Sequence, residues 1–315
     1  MKLLKLIPEQ TNVPFIAWRK IAMAGSAVLF VLSLVLVLAP GLNFGIDFRG
    51  GILMEVGTPG PADLGRIRSG LGDLELGEVA IQEFGNPSTV LIRIERQSGD
   101  QLAQEAAVDE VKAALDAMAT GAMDYRRIEF VGPKVSAELI EAGTIAVLLA
   151  VLLMLVYIWF RFEWHFGVGA VIALVHDVVL SIGMFAVTQL EFNLSTIAAL
   201  LTIVGYSIND TVVVYDRVRE NMRKYKTMEL TGVLNISIND TLSRTTMTSV
   251  TTLLALFALF IFGGEVIKGF VFAMIWGVVV GTYSSIFVAA PTLIALGLEN
   301  KRGTEGEGNA ATAAD

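Results

Sequence analysis

Six stretches of this sequence are too long and too apolar to cover a water-facing surface: residues 21–39, 142–160, 166–190, 192–215, 245–264 and 269–298. A helix needs about 20 residues to cross the hydrocarbon of a bilayer. In lipid a segment must also satisfy its own backbone polar groups, which a helix does. Each stretch therefore reads as a membrane-spanning helix. The charged fraction agrees: 17% of the chain is charged, against about 25% in soluble domains. Val37-Leu38-Ala39 looks like a signal-peptide cleavage site. A signal core, however, is about 7–15 residues long. The first run is longer and starts later, so it is expected to stay on the chain as a helix behind a polar segment, residues 1–20.

Residues 40–138 differ in kind. Between Gly41 and Glu138 there are sixteen acids and nine bases, so this segment reads as a small domain in water. Ile52–Val56 suits a strand, and Pro61 can open a helix because its missing N–H is not needed there. Leu64, Ile67 and Leu71 share a helical face. Val79–Phe84 and residues 89–94 are apolar runs split by Gly85-Asn86-Pro87-Ser88, a hairpin signal. Asp100 can cap a helix whose Val108, Val111, Leu115 and Met118 share a face. Residues 125–131 close the pattern as a strand. The order βαββαβ is that of a ferredoxin-like α+β sandwich. Its scattered carboxylates form no catalytic constellation and read as a solvated surface.

Within the apolar runs the charges are few. Asp177, beside His176, is near the middle of the third run, and Asp210 is the one charge in the fourth. A carboxylate in a membrane helix costs about 2.5–3.5 kcal/mol on insertion scales, so its default reading is functional. Arg244 stands at the entry of the fifth run, at a depth similar to Asp210, and an ion pair between them would reduce the cost of both. Thr241, Arg244, Thr245, Thr248, Thr251 and Thr252 recur at helical steps as one polar stripe. Such a stripe can hold ordered water or simply bond helices together. Gly277 and Gly281 form a Gly-x-x-x-Gly face for close helix contact. Ser-Ile-Asn-Asp-Thr occurs at 207–211 in a span and at 237–241 in the loop expected before the next, a repeat read as chance.

Lys and Arg in short loops set orientation. With the N-terminus inside, Lys2, Lys5, Arg19, Lys20, Arg161, Arg217, Arg219, Arg223, Lys224, Lys226, Lys301 and Arg302 are cytoplasmic, and the short outer loops hold only Lys268. The domain at 40–138 is then outside. Residues 299–315, a Gly/Ala/Glu tail, are expected to be disordered on the cytoplasmic side. There is no cysteine and there are two histidines, which excludes thiol chemistry and His-rich metal sites. A net charge of −8 without a basic stripe argues against nucleic acid.

Five motifs carry a family resemblance. They are Gly45-Ile-Asp-Phe-Arg-Gly-Gly51, Val131-Gly-Pro-Lys-Val-Ser136, Ala173-Leu-Val-His-Asp177, the stretch from Gly205 through Arg217 to Arg219-Glu-Asn221, and Thr241-Leu-Ser-Arg-Thr245. In this order they resemble the SecF branch of the SecD/SecF family, protein-export subunits of the resistance–nodulation–division superfamily. The resemblance runs from about Arg19 to Leu298. It implies a multi-pass protein of the bacterial inner membrane with both termini in the cytoplasm. The implied partners are a separate SecD, the SecYEG channel, YajC and YidC, and the unfolded polypeptide in transit. It implies use of the proton motive force with no cofactor and no enzymatic activity. In that family the carboxylate matching Asp210 and the arginine matching Arg244 are linked to proton conduction, and Asp47, Arg49, Gly50 and Gly51 match the family motif outside the membrane; the intramembrane Asp177 is read as a further relay candidate, with Asn209, Ser207, His176, Thr245 and Thr248 as supporting polar residues. Two rivals are a non-conducting scaffold with Asp210–Arg244 as a structural pair, and an intramembrane aspartyl protease with Asp177 and Asp210 as its dyad. The Gly-x-Gly-Asp context expected of such a protease is missing around both residues.

Overall fold

The computed structural model describes residues 11–99 and 101–298. The Asp100 cap and the tail beyond Leu298 expected from the sequence fall outside them.

The α/β domain has the expected order and topology. After the first membrane helix, α1 (Arg19–Leu38), comes a single turn, α2 (Ile46–Arg49). Then follow β1 (Gly51–Gly57), α3 (Leu64–Gly72), β2 (Val79–Phe84), β3 (Asn86–Ile94), α4 (Gln101–Met118) and β4 (Asp124–Val131). The sheet order is β2-β3-β1-β4, with every pairing antiparallel. Strand alternation sends Ile52, Met54, Val56, Val90, Ile92 and Ile94 to the face covered by α3 and α4, where they meet Ile67, Leu71, Val111 and Leu115. Leu53 and Leu91 point to the other face and pack with Ile46 of α2.

Two boundaries in the domain move. The hairpin is tighter than residues 85–88: Asn86 already pairs with Phe84, leaving Gly85 at φ 78° as the turn. Helix α3 opens at Leu64 rather than Pro61. The Ala62 N–H is bonded to Pro87 O at 2.7 Å, and Asp63 caps the helix by accepting from Arg66 N at 3.0 Å.

The membrane part contains α1, α5 (Pro133–Arg161), α6 (Trp164–Thr188), α7 (Leu194–Lys224), α8 (Leu230–Phe262) and a sixth span. That span is α9 (Lys268–Ser284), a π turn at Ser285–Ala289, and α10 (Ala290–Ala295). Several helices outrun their apolar stretches. Helix α5 starts at Pro133, α7 ends at Lys224, and α8 starts at Leu230, so 237–241 is helical and not a loop. Hydropathy registers only the part of a helix that lipid must solvate; polar ends continue where packing supports them. In the other direction, Phe192 is not helical. It bridges Phe44, and Asn193 starts α7 with a reciprocal capping box to Thr196.

Helices α6, α7 and α9 form the inner layer, with half or more of each span buried; α1, α5 and α8 lie outside them, mostly exposed. The small residues of α9 allow this. A Cβ on Gly277 would collide with Ile203 of α7, and one on Gly281 would lie 3.0 Å from Ser207 Cβ. The Gly-x-x-x-Gly face is thus where α9 meets α7. Pro291 follows the π turn: its ring crowds the carbonyl four residues back, and a wider turn relieves this.

Candidate functional site

The close approach of α9 to α7 brings two serine hydroxyls to one carboxylate. Asp177 of α6 is fully buried. Its Oδ2 accepts from Ser207 Oγ of α7 at 2.5 Å and from Ser284 Oγ of α9 at 2.6 Å. Its Oδ1 lies 2.9 Å from His176 Nδ1. Both hydroxyls donate to the same carboxylate oxygen, one from each neighbouring helix. Asp177 therefore ties the three inner helices together. His176 stacks on Tyr283 at 6.4 Å, and the Tyr283 hydroxyl donates to Ala22 O of α1 at 3.0 Å, so the outer α1 is attached to the same node. The buried His176 Nε2 has no hydrogen-bond partner among the described residues.

Asp210, almost one turn along α7 from Ser207, is the opposite case. It is 3% exposed, and its Oδ2 is buried with no hydrogen-bond partner among the described residues. The expected ion pair with Arg244 is not formed: among the described residues, no nitrogen of Arg244 comes within the 4.0 Å of a salt bridge. The cause is helical phase. Because α8 starts at Leu230, Arg244 is inside a helix whose buried face is set by Thr241, Thr245 and Ser249, and its own side chain is exposed. No hydrogen bond joins Asp177 to Asp210 among the described residues.

The supporting residues separate. Ser207 and His176 belong to the Asp177 node. Thr245 is buried, and its hydroxyl has no hydrogen-bond partner among the described residues. Asn209 is exposed. Thr248 is exposed and bonds the carbonyls of Arg244 and Thr245 in its own helix; Thr251 likewise bonds Met247 and Thr248. The stripe on α8 is thus largely satisfied within the helix. The hydroxyl bond from α8 to α9 is Ser249 to Thr282, 2.7 Å.

Several residues with a part in this bundle escaped sequence reasoning. Ser284 has no charge to mark it, although its position one helical turn beyond Gly281 was a usable signal. Tyr215 is fully buried and donates to Ala289 O in the π turn at 3.0 Å. Asp240, in the second Ser-Ile-Asn-Asp-Thr, accepts from Arg217 Nε at 2.9 Å. Its neighbour Asn239 grips the Val13 peptide on both sides, at 2.8 and 2.9 Å. At the end of the bundle away from the domain, Arg161 also pairs with Asp216 at 2.8 Å.

Of the motif outside the membrane, Gly50 and Gly51 take φ of 72° and 117°, conformations open to glycine and strained for other residues. Asp47 accepts from Leu194 N, the first residue of α7, at 2.8 Å. Arg49 is exposed.

Residues 110–299 match the model for the protein export membrane protein SecD/SecF, C-terminal region, and residues 35–58 match the SecD/SecF GG motif. Protein translocase subunit SecF of Rhodobacter capsulatus is 49% identical over 311 residues, covering 95% of this chain and 93% of that one. Its counterpart in Rickettsia felis is 47% identical over 290 residues, covering 92% and 94%. A crystal structure of SecDF from Thermus thermophilus, described as a translocon-associated membrane protein, superposes with a TM-score of 0.84 at 35% identity. It covers 92% of this chain, while this chain spans 39% of that longer one. SecDF in a super-membrane-facing form gives 0.68 at 31% identity, covering 97% of this chain and 41% of that one. With the GG motif at the start of β1 and the family's C-terminal region spanning every inner helix, the chain belongs to the SecD/SecF family of protein-export membrane proteins, as a SecF-type translocase subunit.

Proposed function

We propose that this subunit works with SecD beside the SecYEG channel in the bacterial inner membrane, and that the pair uses the proton motive force to help draw unfolded polypeptide outward and release it. Asp210 takes up and gives back the proton, Arg244 tunes it at a distance, and Asp177 stays ionised as the anchor of the inner helices. The observation that carries this reading is the contrast between two buried carboxylates on adjacent helices, one with a full set of donors and one with none on its buried oxygen. An acid without fixed partners can gain or lose a proton without dismantling the packing around it, whereas Asp177 cannot. One charge crossing 100 mV is worth about 2.3 kcal/mol, enough to bias two helix packings.

Orientation in this reading has the N-terminus inside. The bundle end away from the domain carries Arg161, Arg217, Arg219, Arg223, Lys224 and Lys226; Lys268 is at the domain end. The exposed side of α8, which presents Arg244, Thr248 and Thr251, is where a protein partner fits better than lipid, and SecD is the partner the family supplies. The chain acts without a cofactor and is not an enzyme; YajC and YidC belong to the wider assembly. In proteoliposomes holding the SecD complex, Asp210→Asn should lose proton flux while still co-purifying with SecD. Flux equal to that of the unaltered complex would instead support the scaffold reading, in which the bundle only stabilises its partner.

A further inference from the structure

Helix α7 carries Ser207 and Asp210, yet the chain does not join it directly to the α/β domain. Polar ties among the described residues do, beside the ring contacts of Phe44 and Phe48 with Phe192. Asp47 Oδ2 accepts from the first peptide N–H of α7, Leu194 N, at 2.8 Å. The backbone of residues 43–45 pairs with Phe192, through Phe192 N to Asn43 O at 2.8 Å and Gly45 N to Phe192 O at 2.9 Å. Arg93 of β3 reaches Glu191 at 3.3 Å and donates to Asn43 Oδ1 at 3.2 Å. Both members of that ion pair are less than a fifth exposed, so it is screened far less than a surface pair.

The domain end of these ties is closely packed. A Cβ on Gly51 would lie 2.5 Å from Ile94 O, and one on Gly50 would lie 3.2 Å from Val131 O. The end of the turn that bears Asp47 therefore lies close against the sheet. Ile46, one residue from Asp47, is buried against Leu53 and Leu91. At the other end, a helix N-terminus has unpaired N–H groups and a partial positive charge. A carboxylate fixed to the sheet and bonded there constrains the axis of α7, not one flexible side chain.

We propose that Asp47, with the Arg93–Glu191 pair, forms the positioning strut through which displacement of α7 reaches the outer domain. Asp47 is then a coupling residue that neither holds nor passes the proton. This rests on the proposed function above, in which α7 responds to the protonation of Asp210.

The test uses the full chain in complex with SecD. Asp47→Ala removes the acceptor, whereas Asp47→Asn keeps an oxygen that can still accept from Leu194 N. Asp47→Ala should lower gradient-driven export about tenfold, a size usual for coupling between sites. Its proton flux should stay within about twofold of the unaltered complex, the scatter of independent sites. Asp47→Asn should restore most of the export. Amide exchange at Leu194 should speed up in the Ala variant and not in the Asn variant. Export unchanged in the Ala variant overturns the proposal, and so does equal loss of flux and export. Should Asp47→Ala fail to assemble, Glu191→Gln takes its place, with the same split between export and flux expected. If the unaltered complex shows no flux sensitive to Asp210, the functional reading has failed. Exchange at Leu194 then decides separately whether the strut exists, and slow exchange in the Ala variant refutes it.

Discussion

Removing one hydroxyl at the Asp177 node tests the packing account at its centre. Ser284→Ala deletes the 2.6 Å bond to Asp177 Oδ2 and a weaker one to Gly281 O at 3.2 Å. Ser207 remains on the same oxygen, so the carboxylate is weakened, not stranded. A hydrogen bond to a charged group contributes about 1.5–3 kcal/mol. Between neutral groups in membrane helices the mean is only about 0.6 kcal/mol, with a maximum near 1.7. The two cases can therefore be told apart. A double-mutant cycle of Ser284→Ala with Asp177→Asn, read by reversible unfolding in mixed micelles, should give a coupling energy of about 1–2 kcal/mol, the difference between a charged and a neutral bond, because asparagine still offers Ser284 an oxygen. Ser285→Ala is the control. Its hydroxyl bonds Thr282 O within the same span, and its coupling to Asp177 should be near zero. A Ser284 coupling of about 0.6 kcal/mol or less would mean that an ordinary neutral bond links these helices, and Asp177 could not be the ionised anchor.

Two further outcomes follow from local geometry. Gly281→Ala puts a methyl 3.0 Å from Ser207 Cβ and should destabilise the bundle by about 1–3 kcal/mol through overpacking; Gly205→Ala, whose Cβ would meet nothing within 4 Å, should be tolerated, with thermal denaturation in detergent separating the two. Glu191 gives a pH dependence. Burial raises its carboxyl above the usual 4.5, only partly offset by Arg93, with Asp47 adding to the rise and Arg127 opposing it. The folded state thus binds this proton more tightly than the unfolded chain, and the associated stability is present below pH 4.5 and lost as pH rises through the raised value. Glu191→Gln cannot titrate, so its stability relative to the unaltered chain should improve as pH rises over that range. A constant difference would contradict the burial argument.

Much of the fold was legible because its determinants are local or periodic. Apolar runs located the spans, and strand alternation with turn residues gave the βαββαβ order. Helix ends were less legible. Leu230–Thr241 is helical through packing against α7, as Asn221 to Ser237 at 3.0 Å illustrates, and hydropathy does not register such contacts. The site divided in the same way. A charge in an apolar run singles out Asp177 and Asp210 without any structure. Which acid is partnered depends on the azimuth of neighbouring helices, and depth alone cannot supply it. Hence Arg244, matched to Asp210 by depth, faces outward, while Ser284, an uncharged residue among apolar ones, completes the shell of Asp177.

Infrared difference spectroscopy of the SecD complex addresses the central claim most directly, because a protonated carboxyl absorbs apart from a carboxylate. On acidification the unaltered complex should gain a buried carboxyl band. That band should be missing in Asp210→Asn and should persist in Asp177→Asn if that variant assembles, or in Ser284→Ala in its place. A band that survives Asp210→Asn and disappears when the Asp177 node is altered would assign the moving proton to Asp177 and contradict the account.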